Sequence, residues 1–338
     1  MKSALLFSTF YQVNPYPFLF EKILKAEGWT VQTEHSLPIP KTANPDVVFL
    51  SWFEEYPLFV PGGGVFSKVM RSISRTAQAF AFLLSLRLRR IPIIFIQHNV
   101  KSQSDSALKR LFVVSLINFL KSISTAIVVH SAADEFSKEL KYEYIPHPLY
   151  PTRGLAPNAK LGANPTALVF GRIQESKKLD QLINEWPDLM PLEIFGWGWD
   201  QNLLKRMRDA ANDKPVKIVE ERLSEDELDK LLRTSDVLVV PRDGEDAIVS
   251  GTFFHGISYG CLVIARHSAA MHAISTVYPF LYTFTDAESL QNCLEKAQLE
   301  IEKGLTRQTV IESAAKTFGD KVVGHHLNLL INSCLQSK

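Results

Sequence analysis

The sequence predicts an α/β protein built as two doubly wound domains, each with a mostly parallel sheet, facing one another across a cleft. Three observations lead there. The chain has 338 residues, too many for one ordinary core and suited to two domains of roughly 150 residues each. Short apolar runs alternate with helix-period segments from end to end, the signature of βαβ units. Between Pro151 and Pro165 the run PTRGLAPNAKLGANP has no apolar period and is rich in Pro, Gly, Ala and Asn, so it reads as a linker. The expected boundaries are 1–151, 152–318 and 319–338, the last being a closing helix free to pack back on the first domain.

The first domain opens on a strand at residues 4–8. Ala4, Leu5, Leu6 and Phe7 form a short apolar run after a single Lys2, which suits a buried strand better than a secretory leader. A helix follows at 17–27, then strands at 30–33, 47–50, 93–97 and 126–129, each a short apolar or β-branched run. Longer segments at 66–90 and 109–121 precede the last two of these strands. Past the linker the pattern restarts with strands at 167–170, 192–195, 216–219, 237–240 and 262–265. Helices at 178–185, 201–211 and 225–234 separate the first four, and a further helix precedes the fifth. Ser224, with Glu227 three residues on, forms a capping box for the helix at 225–234. An amphipathic helix at 321–334 closes the chain.

Composition narrows the function. With 46% hydrophobic and 22% charged residues, the chain is globular rather than disordered or fibrous. Its three cysteines, Cys261, Cys293 and Cys334, lack CxxC spacing. That argues against a disulfide framework or structural zinc and points to a reducing, cytosolic compartment. No stretch supplies the roughly 20 uninterrupted apolar residues of a spanning helix. Residues 1–150 carry 16 Lys/Arg against 11 Asp/Glu, an excess of +5, while residues 151–338 carry 21 against 25, an excess of −4. The near-neutral total gives no reason to expect nucleic acid.

A dehydrogenase needs a Gly-x-Gly-x-x-Gly turn after a first strand, and no segment supplies one. Gly196-Trp197-Gly198 comes nearest but has Gln201 at the third glycine, with Trp197 and Trp199 crowding the turn. Gly62-Gly63-Gly64 lacks the Lys-Ser/Thr ending of a phosphate-binding loop.

Three segments of the second half fall at strand C-termini, the edge where open α/β sheets bind ligands. In the first, a strand ends at Gly171, followed by Arg172, Lys177 and Lys178, cations able to neutralise a diphosphate as its sugar leaves; a solvated basic turn is the plainer alternative. In the second, a strand runs through Arg242 and the acidic Asp243-Gly244-Glu245-Asp246 into Ser250-Gly251-Thr252. That triplet opens a helix whose free amides and dipole suit an anion, although Ser250 can equally be an ordinary N-cap. The third pairs Gly196 and Trp197 with Arg222 and Leu223, two turns able to flank a nucleoside.

The order of these pieces resembles the donor-binding domain of GT-B glycosyltransferases: Gly-Arg, then Lys five or six residues later, a strand, an acidic loop, and a helix ending in Ser258-Tyr259-Gly260-Cys261-Leu262-Val263-Ile264-Ala265. In the first half, Leu50-Ser51-Trp52-Phe53-Glu54, Phe95-Ile96-Gln97-His98-Asn99, Val128-Val129-His130-Ser131 and Ile145-Pro146-His147-Pro148 fall in that family's order too. The resemblance implies two Rossmann-like domains, the first binding an acceptor and the second a nucleotide-diphospho-sugar, GDP- or UDP-linked, with transfer of a hexose. Asn99 and the Ser250-Gly251 pair look most like bacterial exopolysaccharide or capsule transferases, including mannosyltransferases. Many retaining members carry two glutamates eight residues apart, whose places fall here on Ala247 and His255. Glu245 or Asp246 would take the first role through a different loop. No metal or other cofactor is expected, because Arg172, the lysines and the helix start supply positive charge.

His98, at a strand end, can bond the sugar or phosphate or act as a base. Glu54, Glu55 and Asp105 are the carboxylates on first-domain loops able to deprotonate an acceptor, with Glu54 and His98 carried forward as catalytic candidates. His130 and His147 read as holding loops rather than reacting. Residues 66–90 mix Lys68, Arg71, Arg75, Arg87, Arg89 and Arg90 with Val69, Ile73, Phe80, Leu83 and Leu84, which suits either a core helix or an anionic membrane surface presenting a lipid-linked acceptor. The competing functions are a nucleotide-sugar epimerase, a pyruvyl transferase, and an inactive sugar-binding scaffold.

Overall fold

The computed structural model describes residues 2–336 apart from 13, 40–43, 61, 63, 99–106, 134–140, 153–160, 163, 199 and 243–249. Its contacts divide the chain into two units, Met1–Pro148 with Asp320–Lys338, and Leu149–Glu245 with Ser250–Gly319.

In the first unit, β1 (Ser3–Ser8), β2 (Thr30–Glu34), β3 (Val47–Ser51), β4 (Ile93–Ile96), β5 (Ala126–Val129) and β6 (Tyr142–Tyr144) form a parallel sheet in the order β2-β1-β3-β4-β5-β6. The inner strands are apolar apart from serines at the ends of β1 and β3, because both faces are covered. Leu6, Phe49, Ile94 and Val128 face α1 (Tyr16–Ala26) and the closing helix (Asp320–Gln336). Their neighbours Leu5, Val48, Phe95 and Ile127 face α2 (Val65–Leu88) and α3 (Ala107–Ile123). The closing helix presents Val323, Leu327, Leu330, Ile331 and Cys334 along one stripe. Gly324 of this helix faces the Glu27 side chain at the end of α1.

The second unit holds β7 (Ala167–Arg172), β8 (Leu192–Trp197), β9 (Val216–Glu220), β10 (Val237–Val240), β11 (Leu262–Arg266) and β12 (Leu281–Phe284), parallel in the order β12-β11-β10-β7-β8-β9. Its helices are α4 (Leu179–Glu185), α5 (Gln201–Ala211), α6 (Glu225–Thr234), α7 (Gly251–Ser258), α8 (Ala269–Ser275), α9 (Ala287–Glu302) and α10 (Arg307–Phe318). One face buries Val169, Ile194, Val239 and Ile264 against Leu182, Leu203, Leu290 and Leu294. The α6 capping box is formed, with Ser224 and Glu227 bonding each other's amides. A buried Arg307–Asp236 pair at 3.3 Å ties α10 to the start of β10, and Asp236 also accepts the Gly162 and Thr166 amides at 2.8 and 3.1 Å, so the ion's remaining valences are satisfied. Because β8 and β10 are added on opposite sides of β7, this sheet has its topological switch point between β7 and β10, where ligands of such folds bind. No described helix is long and apolar enough to cross a membrane.

Candidate functional site

At the switch point of the second unit the chain gathers positive charge. Gly171, next to last in β7, holds φ +106°, a conformation that favours glycine, and the turn beyond the strand folds Lys177 back so that Nζ donates to the Phe170 carbonyl at 3.4 Å. Burial, and next the charge of Arg242 beyond β10, push the Lys177 ammonium down to about 8, as expected where two cations share a partly desolvated spot. Arg172 lies beside Gly198, whose Cβ position is 3.5 Å from its Cγ and Nε. The acid of this turn, Glu175, is turned away: it pairs with Arg206 at 2.8 Å, and Arg206 also holds Asp180 at 2.7 Å. Among the described residues no carboxylate pairs with Arg172, Lys177 or Arg242. Cations at one strand edge with no carboxylate partner among the described residues are an arrangement able to receive an anion.

The other residues expected from the sequence to bind a donor lie along the same sheet edge. Gly196 sits near the end of β8, where a Cβ would fall 2.5 Å from the Gly171 carbonyl oxygen, so only glycine lets these two strand ends approach. Arg222 caps the Trp197 ring at 5.5 Å, and Leu223 is half-buried beside it. Lys178 is exposed, in a left-handed conformation with φ +47°. Since α7 leads from β10 to β11, its N-terminus opens at this edge. Ser250 Oγ accepts the Phe253 amide at 3.3 Å, which is the N-cap role and leaves the hydroxyl hydrogen for a ligand. Gly251 faces Tyr150, whose hydroxyl lies 3.3 Å from where a Cβ would stand. Tyr150 in turn stacks on His255 at 3.6 Å, and burial pushes that imidazole down to about 4. Thr252 is half-buried in the first turn of α7. Asn99, Asp105, Trp199, Asp243, Gly244, Glu245, Asp246 and Ala247 lie outside the described residues.

In the first unit the C-terminal strand edge is lined with buried polar groups: Ser8 ending β1 and Thr9 after it, Ser51 ending β3, Gln97 and His98 after β4, His130 and Ser131 after β5, and His147 after β6. Tyr16 binds them into one cluster. Its ring lies 4.7 Å from His98, 5.2 Å from His130 and 5.0 Å from His147. Its hydroxyl meets His130 Nε2 at 2.7 Å. Because His130 Nδ1 donates to the Ile145 carbonyl at 2.7 Å, Nε2 must be the acceptor and Tyr16 the donor. His98 stacks on Trp52 at 3.7 Å and meets Ser51 Oγ at 3.0 Å. Trp52 holds φ +49°, an unusual conformation for a bulky residue and one found preferentially at functional sites. Burial, helped by His130 and His147, keeps the His98 imidazole well below its ordinary range. It is therefore neutral at pH 7, suited to hydrogen bonding and a weak base.

Glu54 follows in a 3₁₀ turn, Phe53–Glu55, with only 1% of its surface exposed. Neither of its carboxylate oxygens has a hydrogen-bond partner beyond the contact with its own backbone, and Ser8 Oγ has none, among the described residues. Burial, opposed by that backbone contact and helped by the neighbouring charge of Glu55, pushes the acid up to about 8. Unsatisfied buried polar groups are rare enough to need a reason, and a titration point near neutrality is what a general base requires. Tyr16 and Trp52 were not candidates from the sequence. The hints were that Trp52 lies in the Leu50–Glu54 segment that carries the resemblance, directly after a strand, and that Tyr16 follows Asn14-Pro15.

Comparison with known proteins follows the same lines. Residues 164–297 match the family model described as glycosyl transferases group 1. No curated protein matches the chain. Among solved structures, sucrose-phosphate synthase from Thermosynechococcus elongatus is similar at TM-score 0.66 and 15% identity, with 100% of each chain covered. A glycosyltransferase from Rickettsia africae gives 0.59 and 12%, covering 100% of this chain and 99% of that one. WaaG, a glycosyltransferase involved in lipopolysaccharide biosynthesis, gives 0.54 and 14%, covering 97% and 99%. At these identities the likeness shows the fold, which is the GT-B-like α/β arrangement of two parallel six-stranded sheets.

Proposed function

We propose that the protein is a glycosyltransferase that moves a hexose from a nucleotide-diphospho-sugar, UDP- or GDP-linked, to a glycan or lipid-linked saccharide in bacterial surface polysaccharide synthesis. The observation that carries this reading is the set of cations at the second unit's switch point, Arg172, Lys177 and Arg242, which have no carboxylate partner among the described residues and lie in a segment that matches the group 1 transferase model. In the reaction the bond between the anomeric carbon and the β-phosphate oxygen breaks, and the charge gained by the diphosphate falls on these cations and on the amides of α7. They supply the neutralisation that a metal would otherwise provide. The acceptor oxygen bonds to the anomeric carbon, and its proton passes to a general base, for which Glu54 and His98 are the candidates. His98, held neutral between Trp52 and Ser51, positions a sugar hydroxyl.

The acceptor's lipid character rests on α2. Phe66, Val69, Met70, Ile73, Phe80, Leu84 and Leu88 are all exposed, and they recur at helical spacing as one stripe along its length. Phe66 is 80% and Leu88 77% exposed. With Lys68 and the arginines beside it, this stripe suits an anionic bilayer surface.

The decisive test is thermal shift with UDP and GDP, each beside its nucleoside. One diphosphate should stabilise the protein, and Arg172→Ala should weaken it about tenfold or more while leaving the nucleoside alone. Equal loss for both, or no stabilisation by either, would sink the assignment. Incubation with donor alone should leave the sugar's configuration unchanged, which separates transfer from epimerisation.

A further inference from the structure

A pocket on the flank of α2 takes no part in this chemistry. It has a volume of about 530 Å³ and is walled by Leu5, Leu37, Ile39, Ala81 and Phe82, with Arg89 at one end. That volume is in the range of small-molecule sites, roughly 300–1,000 Å³. Arg89 follows α2, and Pro45, which also lines the pocket, precedes β3. Both therefore stand at the strand starts of the first unit, the edge opposite the one that carries His98.

Three features define what fits. Most of the wall is apolar, and its polar side chains bond within the protein: Gln78 Oε1 accepts the Tyr56 hydroxyl at 3.2 Å, Ser85 donates to the Phe82 carbonyl at 2.7 Å, and Arg89 donates to Asn44. An alkyl chain against the apolar part would therefore break few hydrogen bonds. Ala81 and Ser85 in the wall are helical neighbours, three residues away, of Leu84 and Leu88 in the exposed stripe, so the apolar lining continues around the helix to the outer surface. Arg87, Arg89 and Arg90 cluster at the same end, and among the described residues no carboxylate lines the pocket.

We propose that this pocket holds a single acyl chain of an anionic lipid, with the headgroup against Arg89. It is an anchoring site separate from the acceptor site, and it goes beyond the transfer reading without depending on it. A bilayer that only adsorbs to α2 would leave the pocket empty, whereas this model draws one chain out of the leaflet.

The test uses monomeric amphiphiles, so no membrane is needed. Calorimetric titration of the full chain with dodecanoate below its micelle concentration should saturate at one equivalent. Hexanoate should bind at least tenfold more weakly, because less chain is buried, and dodecyltrimethylammonium at least fivefold more weakly, because its head is cationic. Ala81→Trp should abolish dodecanoate binding by filling the pocket, and Arg89→Ala should erase the preference for the anionic head. The absence of saturable dodecanoate binding to the unaltered chain overturns the proposal, as does binding that Ala81→Trp, folded by circular dichroism, leaves unchanged. The comparison of the three amphiphiles on the unaltered chain stands even where Ala81→Trp does not fold. Nucleotide thermal shift on the same preparation reads the transfer hypothesis independently.

Discussion

Glu54 and Lys177 both sit where burial opposes their ordinary charge, and each leads to a pH prediction. For Glu54 the folded chain keeps the proton up to about 8, against an ordinary 4.5. Between those values the folded state binds more protons than the unfolded one, so this residue's contribution to stability declines as pH rises from about 4.5 to 8 and stays at its lowest above that. Glu54→Gln keeps the shape and removes the titration. It should raise the melting temperature by a few degrees at pH 9 and change it little at pH 5, while lowering kcat about a hundredfold or more. A variant that melts higher yet turns over normally would take Glu54 out of the reaction. For Lys177, at about 8, the charged form is the one that holds phosphate. Diphosphate affinity should therefore fall about tenfold between pH 7 and pH 9 as the free enzyme's ammonium loses its proton. Lys177→Arg should flatten that profile, since guanidinium stays charged; an unchanged slope in the variant would place the titrating group elsewhere.

The elements that carry these residues differ in how plainly the chain announces them. Strands buried on both faces, such as β3 and β4, are unbroken apolar runs, and the capped helix α6 declares its start through Ser224 and Glu227. β6 and β12 do not. Tyr142–Tyr144 is three residues around an exposed Glu143, and Leu281–Phe284 is half-buried without alternation. Edge strands take their structure from the neighbour they bond to rather than from their own period. The closing helix is legible as an amphipathic segment expected to return to the first domain, but its partners are not: Val323, Leu327 and Ile331 pack under the first sheet, about 300 positions from α1 in sequence. Leu327→Ala should cost the first unit about 2–5 kcal/mol. Tryptophan fluorescence in urea can follow it, because the Trp29 indole donates to Asn328 on this helix at 3.2 Å. An unshifted transition would mean that the helix is not integral to that core.

At the scale of the whole molecule, each unit closes its own hydrophobic core, and only the first needs both ends of the chain. The segment Leu149–Gly319 contains β7 to β12 with their helices and the Arg172, Lys177 and Arg242 cluster. Expressed alone, it should fold and bind the nucleoside diphosphate within about tenfold of the full chain. Loss of all binding in a folded fragment would show that the donor site needs groups from the first unit. By itself the sequence determined the α/β class, the parallel sheets and the Gly171-Arg172 turn, because these follow from periodicity and from residue types that act on their immediate neighbours. Tertiary structure alone decided that Lys177 would crowd Arg242, that Glu54 would lose its solvent, and that Tyr16 would join His98, His130 and His147. Burial and electrostatic proximity are set by which distant segments pack together, and no local pattern of residues carries that information.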